Sequence, residues 1–232
     1  MKLAVMQPYL FSYIGYFQLI NSVDKFVILD DVNYIMKGWI NRNRILVNGK
    51  GYMFTFPLKK VTQNKKIFEF EFATDIPWVP RFLKTIEYNY KKAPFFNDTI
   101  KIIENIFSIK ETNLSKWLTY QIKILCNYLE IGTEIIETSR IYNNQFLKAQ
   151  EKIIDICKKE KASTYINSIG GTDLYQPEAF SEIGCELKFL KSHLIEYNQF
   201  NKQFVPFLSI IDVMMFNDIV SIKKLLNKFE LI

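Results

Sequence analysis

Residues 1–31, MKLAVMQPYLFSYIGYFQLINSVDKFVILDD, decide the fold of this chain. A short apolar strand is predicted at 3–6, where Gln7-Pro8 interrupts the apolar run. Helical spacing of apolar side chains predicts a helix over 13–21, and a second buried strand at 26–29 ends at Asp30-Asp31. Strand, helix and strand in this order form a βαβ unit, which predicts parallel strands joined by a right-handed crossover.

The middle of the chain has the pattern of antiparallel strands. Asn48-Gly49 is a strong two-residue hairpin signal, and the segments 43–47 and 52–57 beside it are predicted to pair. Residues 67–72 carry phenylalanine at every even position, which predicts a strand with one buried aromatic face. These antiparallel pieces are expected to extend or flank the main sheet.

The rest of the chain alternates between helical and strand patterns. Helices are predicted at 78–91, 94–108, 113–129, 145–160, 177–182 and 210–229 (the last as one or two pieces), and strands at 134–138, 163–167 and 186–190. We therefore expect an α/β fold, with an N-terminal βαβ unit, a mixed sheet, an antiparallel hairpin insertion and a helical C-terminal part. Residues 1–232 are expected to form a single domain, with 78–130 as a candidate helical subdomain.

The composition is that of a folded protein with a modest positive charge. Hydrophobic residues make up 49% of the 232 residues and charged residues 23%, which excludes an intrinsically disordered chain. The net charge of +6 is interpreted as a basic solvated surface or as a preference for an anionic ligand. Lysine pairs are scattered and no nucleic-acid-binding motif accompanies them, so nucleic acid is not an expected partner.

Cysteine usage and hydropathy indicate the compartment. Three cysteines without a CxxC pair give neither a disulfide framework nor a zinc motif, which fits a reducing compartment. Cys126 and Cys157 follow helical apolar patterns and are predicted to be buried. No signal peptide is predicted, and no apolar stretch reaches the roughly 18 residues of a membrane span. We therefore expect a cytoplasmic protein without a membrane span.

The densest cluster of polar residues follows the second predicted strand. Ligands of open α/β sheets bind outside the carboxyl ends of the strands, which is where Asp30 and Asp31 are placed. At most one of them is expected to enter a cleft, because adjacent side chains of an extended chain point to opposite sides. Arg42 and Arg44 share one face and suit bidentate binding of a phosphate, although a charged edge strand would give the same pattern. The other candidate binding residues of this cluster are Asn33, Lys37, Trp39 and Asn41.

Two loops that follow predicted strands are further candidates. Gln7-Pro8-Tyr9 comes directly after the first strand, where many α/β enzymes hold a ligand. Tyr13-Ile14-Gly15-Tyr16 stands where nucleotidyltransferase-type folds have His-x-Gly-His. Because tyrosines replace the histidines, ATP chemistry is not predicted, and Gly15 and Tyr16 are kept as candidate binding residues. Gly170-Gly171 is interpreted as a ligand loop or as an ordinary tight turn.

Two isolated ionisable residues complete the candidates. His193 is the only histidine, so it is either a catalytic residue or a surface or hydrogen-bonded histidine. Asp212 lies within an apolar helical pattern and has three interpretations: a carboxylate paired with a base, a capped structural group, or a functional acid with a raised pKa. The two adjacent aspartates lack further ligands, so no metal site is predicted.

These motifs, taken in order, resemble the WbqC family. The resemblance runs from the first strand to the last helix, and its motifs are Met6-Gln7-Pro8-Tyr9, Ile14-Gly15-Tyr16-Phe17, Leu29-Asp30-Asp31-Val32, Trp39-Ile40-Asn41-Arg42-Asn43-Arg44-Ile45, Ile169-Gly170-Gly171 and Leu208-Ser209-Ile210-Ile211-Asp212. Many members have histidine where this chain has Met6, so a general-base role of that histidine is not carried over.

The resemblance implies a role in bacterial surface polysaccharides such as O-antigen (a lipopolysaccharide component). Members of the family occur among genes for such polysaccharides, and the transfer of an aminoacyl group to a sugar amine is a proposed role. The expected function is therefore an N-acyl or aminoacyl (for example glycyl) transfer to the amine of a nucleotide-activated amino sugar. The alternative is a non-catalytic scaffold that binds a sugar nucleotide or a carrier protein in a polysaccharide-synthesis complex.

The transferase interpretation gives ten of the candidates a role. Arg42, Arg44 and Lys37 would hold the diphosphate, while Asp30 or Asp31 would orient or deprotonate the sugar amine. The groups expected to contact the base, the sugar or the developing oxyanion are Tyr9, Tyr16, Trp39, Gln7 and Asn41. No tightly bound cofactor is expected. The acyl donor is expected to arrive as a thioester, on a carrier protein or coenzyme A, because no ATP-binding motif is present.

Overall fold

The structure, a computed structural model, describes residues 1–62, 64–200 and 203–232. Its strands are β1 (Lys2–Met6), β2 (Lys25–Ile28), β3 (Arg42–Val47), β4 (Lys50–Thr55), β5 (Glu134–Ile136), β6 (Thr164–Ser168), β7 (Glu186–Ser192) and β8 (Phe229–Leu231). Its α-helices are α1 (Ile14–Asn21), α2 (Trp78–Tyr90), α3 (Phe96–Phe107), α4 (Leu114–Tyr128), α5 (Ala149–Glu160), α6 (Pro177–Ser181), α7 (Ile210–Phe216) and α8 (Ile219–Leu226).

The order of the strands makes the main sheet a doubly wound one. Within the described residues, the sheet has the order β5-β2-β1-β6-β7-β8, in which only β8 runs antiparallel to its neighbour. The chain proceeds from the central β1 to β2 and β5 on one side, and then returns to β6 and β7 on the other. The predicted α/β fold, with its βαβ unit and mixed sheet, is confirmed.

Helices cover both faces of this sheet, which explains why its central strands are apolar on both sides. Ala4 of β1 faces the core that contains α1, α4, α7 and α8, whereas Leu3 and Val5 face the core that contains α5 and α6. The helices that follow β1 and β5 therefore lie on opposite faces. Cys126 and Cys157 are buried, one in each core, as predicted.

The predicted hairpin is confirmed as the pair β3–β4, which forms a separate two-stranded sheet. Its turn residues, Asn48 and Gly49, have φ values of 50° and 76°, the left-handed conformation that a two-residue hairpin turn requires. The hairpin packs against α2 to α4 through an aromatic cluster, whose members are Phe54, Phe56, Phe72, Trp78, Phe82, Phe107 and Trp117. The hairpin is therefore held in place by this packing and by hydrogen bonds outside the main sheet, such as those from the Asn43 amide to the carbonyls of Leu10 and Phe11 at 2.9 and 2.8 Å.

The strand predicted at 67–72 is wrong. Ile67–Glu69 is a single 3₁₀ turn, in which the Lys66 backbone N–H donates to the Glu69 carboxylate at 2.6 Å. The alternation was misleading because Ile67, which a two-residue period places on the face opposite the phenylalanines, is fully buried in the same core as Phe70.

Two C-terminal predictions also need correction. The helix expected over 145–160 begins only at Ala149, because the Asn144 side chain donates to Asp155 at 2.7 Å and the segment before the helix is folded as a turn. The helical segment expected over 210–229, as one or two pieces, is two helices, α7 and α8, but it ends at Leu226, and Phe229 belongs to β8. No helix within the described ranges combines the length and the apolar character that crossing a membrane requires.

Candidate functional site

The sheet reverses its winding between β1 and β6, and this switch point positions the candidate site. The helices that follow β1 and β6 lie on opposite faces of the sheet, so the loops at the carboxyl ends of these strands diverge and leave a crevice. Ligands of doubly wound folds bind in such a crevice. The loop after β1 begins at Gln7, and a 3₁₀ turn, Ile169–Leu174, follows β6.

Two adjoining cavities occupy this region, and we refer to them together as the switch-point cleft. The first, of about 380 Å³, is lined by Gly15, Ser168 and His193 among others. The second, of about 340 Å³, is lined by Tyr9, Ser12, Tyr13, Trp39, Asn43, Arg44 and Phe207. Tyr13 and Phe207 line both cavities, so one elongated ligand could reach from one into the other.

Arg44 is the fixed charge of the switch-point cleft. One of its Nη atoms donates to the backbone carbonyl of Phe207 at 3.1 Å, and its Nε is buried without a partner among the described residues. No carboxylate within the described part of the chain lines either cavity. The cleft therefore favours an anionic ligand.

His193 brings an imidazole to the other end of the switch-point cleft. It is exposed and follows directly after β7, where its backbone N–H donates to the carbonyl of Lys228 at 3.0 Å. The ring lines the same cavity as Ser168, the last residue of β6. A proton acceptor and a hydroxyl are thus available at one end of the cleft, and an arginine at the other.

Exposed apolar side chains form the rim of the switch-point cleft. Trp39 is 45% exposed and Phe207 is 69% exposed, and Tyr13, Ile169 and Leu194 are exposed as well. Solvent-exposed aromatic residues around a cleft mark a surface that a planar or apolar ligand can cover.

Gly15 allows the Tyr13 ring to lie against helix α1. A Cβ atom on Gly15 would stand 2.3 Å from a ring carbon of Tyr13, so any larger residue would displace the ring from the cleft. On the same helix, the Tyr16 hydroxyl donates to the carbonyl of Gln7 at 3.0 Å. Pro8, the next residue of the loop after β1, is buried. Burial raises the pKa of Tyr9 to about 12, so this phenol remains a neutral hydrogen-bonding group.

The glycine pair after β6 supports the cleft without lining it. A Cβ on Gly171 would come 2.6 Å from the Asn167 side-chain nitrogen, whereas Gly170 faces open space. The lining residues of this turn are Ser168 and Ile169, which precede the glycines.

Asp30 lies in a different place from the switch-point cleft. Its carboxylate accepts hydrogen bonds from the hydroxyls of Thr138 at 2.7 Å and Ser115 at 2.8 Å. It lines a separate cavity of about 600 Å³ between α4 and the residues that follow β5. The structure therefore does not bring Asp30 together with Arg44 and His193.

Asp31 is buried in an ion pair. Its carboxylate accepts from the Lys152 ammonium at 2.6 Å and from the hydroxyl of Ser139, and both charged side chains are almost fully buried. Of the two aspartates Asp30 alone lines a cavity, as expected, but the carboxylates do not diverge, because the Ser139 hydroxyl contacts both.

The remaining residues of the polar cluster hold the loop before β3. Asn41 is buried, with its side chain bonded to the Tyr34 hydroxyl at 2.7 Å and to the Phe56 carbonyl at 2.8 Å. Arg42 donates to the Gly38 carbonyl at 2.8 Å and its guanidinium stands 6.0 Å from the centre of the Trp39 ring. Asn33 and Lys37 are exposed on the same loop. Of the two predicted arginines, Arg44 alone is placed in the switch-point cleft.

Comparison with known proteins agrees with the motifs around this cleft. The model of the WbqC-like protein family matches residues 7–224. The chain belongs to the WbqC-like family. It is also similar to Uncharacterized protein Rv1507c of Mycobacterium tuberculosis, with 26% identity over 217 residues that cover 92% of each chain. No solved structure matches.

Several lining residues of this WbqC-like protein were not predicted as site residues. Ser168 could have been found by the strand-end rule, because it is the last residue of β6. Phe207 gave no sequence signal. It lies in the cleft next to Arg44, which is 163 residues away in the chain. Met6 is partly buried against the core and offers no titratable group.

Asp212 of this WbqC-like protein is a buried hydrogen-bond acceptor. It accepts from the Tyr90 hydroxyl at 2.7 Å, and from the Tyr197 hydroxyl and the Gln199 amide, both at 2.6 Å. Burial raises the pKa of its carboxyl above the usual range, and these hydrogen bonds oppose the rise. Of the three interpretations of Asp212, this geometry agrees with a structural group that joins α2, α7 and the segment after β7.

We expect Asp212→Asn to lower the free energy of unfolding by about 1–3 kcal/mol, because an NH2 group, which cannot accept a hydrogen bond, replaces one of the two accepting carboxylate oxygens. Since the folded pKa is raised, the carboxyl contributes most to stability in acid and less as the pH rises through that pKa. The stability difference between wild type and variant should therefore narrow with rising pH in urea titrations. Asp218→Asn is the control. Hydrogen bonding lowers the pKa of the Asp218 carboxyl, so the difference in the free energy of unfolding between wild type and this variant should widen with rising pH.

Proposed function

We propose that this WbqC-like protein transfers an acyl or aminoacyl group from a thioester to the amine of a nucleotide-activated amino sugar in surface-polysaccharide biosynthesis. The observation that supports the proposal most is the switch-point cleft, whose described lining residues include an arginine, exposed aromatic rings and a histidine but no carboxylate. A sugar nucleotide has a diphosphate for the arginine, a planar base for the aromatic rings and a nucleophilic amine for the histidine to deprotonate.

The reaction needs a nucleophile, a proton acceptor and a stabilised oxyanion. In our proposal the sugar amine attacks the thioester carbonyl while the His193 imidazole accepts a proton from the nitrogen. The Ser168 hydroxyl, which lines the same cavity, donates to the carbonyl oxygen as it becomes negative. A C–N bond forms, the C–S bond breaks, and the proton passes from His193 to the leaving thiolate. Asp30 and Asp31 take no part in these steps.

Arg44 is expected to determine the affinity for the diphosphate. Arg44→Ala should weaken the binding of a UDP- or dTDP-linked amino sugar by about 10- to 100-fold, because charge-assisted hydrogen bonds contribute about 1.5–3 kcal/mol. Isothermal titration calorimetry measures this change. Arg81→Ala is the matched control, since Arg81 lies on α2 outside the switch-point cleft. Equal affinities of the Arg44→Ala variant and wild type would remove the diphosphate from this cleft.

The proposal is tested by incubating the protein with amino-sugar nucleotides and an acyl or glycyl thioester. The expected product is an amide, detected by mass spectrometry, together with one equivalent of free thiol. Binding of the sugar nucleotide, or of a carrier protein, without amide formation under any pairing of donor and acceptor would instead support the scaffold alternative.

A further inference from the structure

Residues 32–66 carry the positive charge of this chain. They contain eight lysine and arginine residues and no aspartate or glutamate. Their net charge is +8 in a chain whose total is +6, so the remaining residues together carry −2. The lysine pairs are scattered along the chain, but in this segment no acid balances them. Charge of one sign concentrated in one segment attracts an anionic partner.

The structure places two loops of this segment side by side. The Tyr34 backbone N–H donates to the Lys65 carbonyl at 3.0 Å, and Asn33 and Lys66 form an antiparallel bridge. Arg42 adjoins the first loop, because its guanidinium lies over the Trp39 ring. We call the described residues of 33–39 and 59–66, together with Arg42, the basic loop surface.

Most cations of the basic loop surface are unpaired. Lys59 is paired with Glu71 at 3.0 Å, and the Glu69 carboxylate accepts from the Lys66 backbone N–H at 2.6 Å. The cations of this surface that form no ion pair with a carboxylate of the described residues are Lys37, Arg42, Lys60, Lys65 and Lys66. Their charge is therefore available to an anionic surface.

Apolar side chains project from the same two loops. Ile35, Met36, Trp39 and Val61 are each between 42% and 53% exposed. Apart from Trp39, these residues line none of the cavities described above. A protein that docks as a helix or a peptide needs a groove, whereas projecting apolar side chains flanked by cations suit the headgroup layer of a bilayer.

We propose that the basic loop surface binds an anionic membrane surface. Ile35 and Met36 enter the boundary between headgroups and acyl chains, and Trp39 lies at the level of the headgroups. The unpaired cations contact the lipid phosphates. This attachment is peripheral and involves no spanning segment. It is independent of the transferase proposal.

The test is cosedimentation of the full chain with two kinds of vesicle, phosphatidylcholine alone and an equal mixture of phosphatidylcholine and phosphatidylglycerol. We expect binding to the mixed vesicles to be tighter by about tenfold or more, and to weaken as the salt concentration rises. The emission of Trp39 should shift to shorter wavelength with the mixed vesicles, because the ring leaves water.

Two double variants test the two components of the surface separately. Lys60→Gln combined with Lys65→Gln should weaken binding to the mixed vesicles by about tenfold or more, since each lysine near an anionic bilayer contributes about fivefold. Ile35→Gln combined with Met36→Gln should weaken it by about tenfold or more, because two apolar side chains no longer enter the bilayer. All four side chains are exposed, so both variants should keep the melting temperature of wild type.

Each double variant has a matched control. Lys101→Gln combined with Lys158→Gln removes the same charge from exposed positions on α3 and α5. Phe146→Gln combined with Val220→Gln removes two apolar side chains that are more exposed than Ile35 and Met36. Both controls should bind the mixed vesicles as tightly as wild type does.

Three results would overturn the membrane proposal. The first is equal binding to the two kinds of vesicle, and the second is a loss in either double variant no larger than that in its control. The third is an affinity for an oligonucleotide as high as that for the mixed vesicles, which would assign the surface to a nucleic acid. The variant of Ile35 and Met36 should still bind the sugar nucleotide, so failure of this proposal is distinguishable from failure of the transferase proposal.

Discussion

Replacing His193 by glutamine is expected to lower the turnover of amino-sugar nucleotide and thioester by about 10²- to 10⁴-fold, the usual contribution of a general base. Glutamine preserves the size and polarity of the side chain but cannot accept the proton from the attacking amine. Because His193 is exposed and its backbone bond to Lys228 does not involve the ring, the melting temperature should remain that of wild type. Steady-state kinetics should therefore show a lower kcat at a nearly constant KM for the sugar nucleotide.

Asp30→Asn provides the comparison that decides the identity of the base. It leaves the switch-point cleft unchanged, so turnover should stay close to that of wild type. If Asp30→Asn abolished turnover while His193→Gln retained it, the proton acceptor would be Asp30 and the sugar amine would belong in the cavity that Asp30 lines.

The second large effect concerns the buried ion pair between Lys152 and Asp31. Lys152→Met should lower the free energy of unfolding by about 3–5 kcal/mol, because Asp31 would keep a buried charge without its cation. Combining Lys152→Met with Asp31→Leu should recover much of this loss, since two apolar residues of similar size leave no unpaired charge. Urea unfolding followed by circular dichroism measures both variants.

Lys159→Met is the matched control on the same helix. Lys159 pairs with Asp155 at 2.8 Å, but it is 44% exposed, and a surface pair contributes about 1 kcal/mol or less. A loss for Lys152→Met as small as that for Lys159→Met would mean that water reaches Asp31 and that the pair is not a buried one.

The local parts of the fold could be predicted from the sequence, and the parts that depend on distant contacts could not. Apolar periodicity located the βαβ unit, and Asn48-Gly49 located the hairpin, because these signals lie within a few residues of the structure they determine. The alternation at 67–72 failed because burial of Ile67 comes from tertiary packing. β8 has three residues, too few for a periodic pattern.

The candidate site was predictable to a similar degree. The strand-end rule selected the loop after β1 and the turn after β6, and both lie at the switch point. The different surroundings of Asp30 and Asp31 were not predictable, because Lys152 is 121 residues away from Asp31 in the chain. The same holds for Phe207, which Arg44 contacts across 163 residues.

The positions of the three tryptophans give this protein two separate intrinsic fluorescence signals. Trp39 is half exposed at the rim of the switch-point cleft, so its emission should shift to shorter wavelength when a ligand covers the ring. Trp78 and Trp117 belong to the aromatic cluster under the hairpin, and their emission should respond to unfolding. A Trp39→Phe variant would keep the second signal and lose the first, so ligand binding and unfolding could be followed in the same sample without an attached dye.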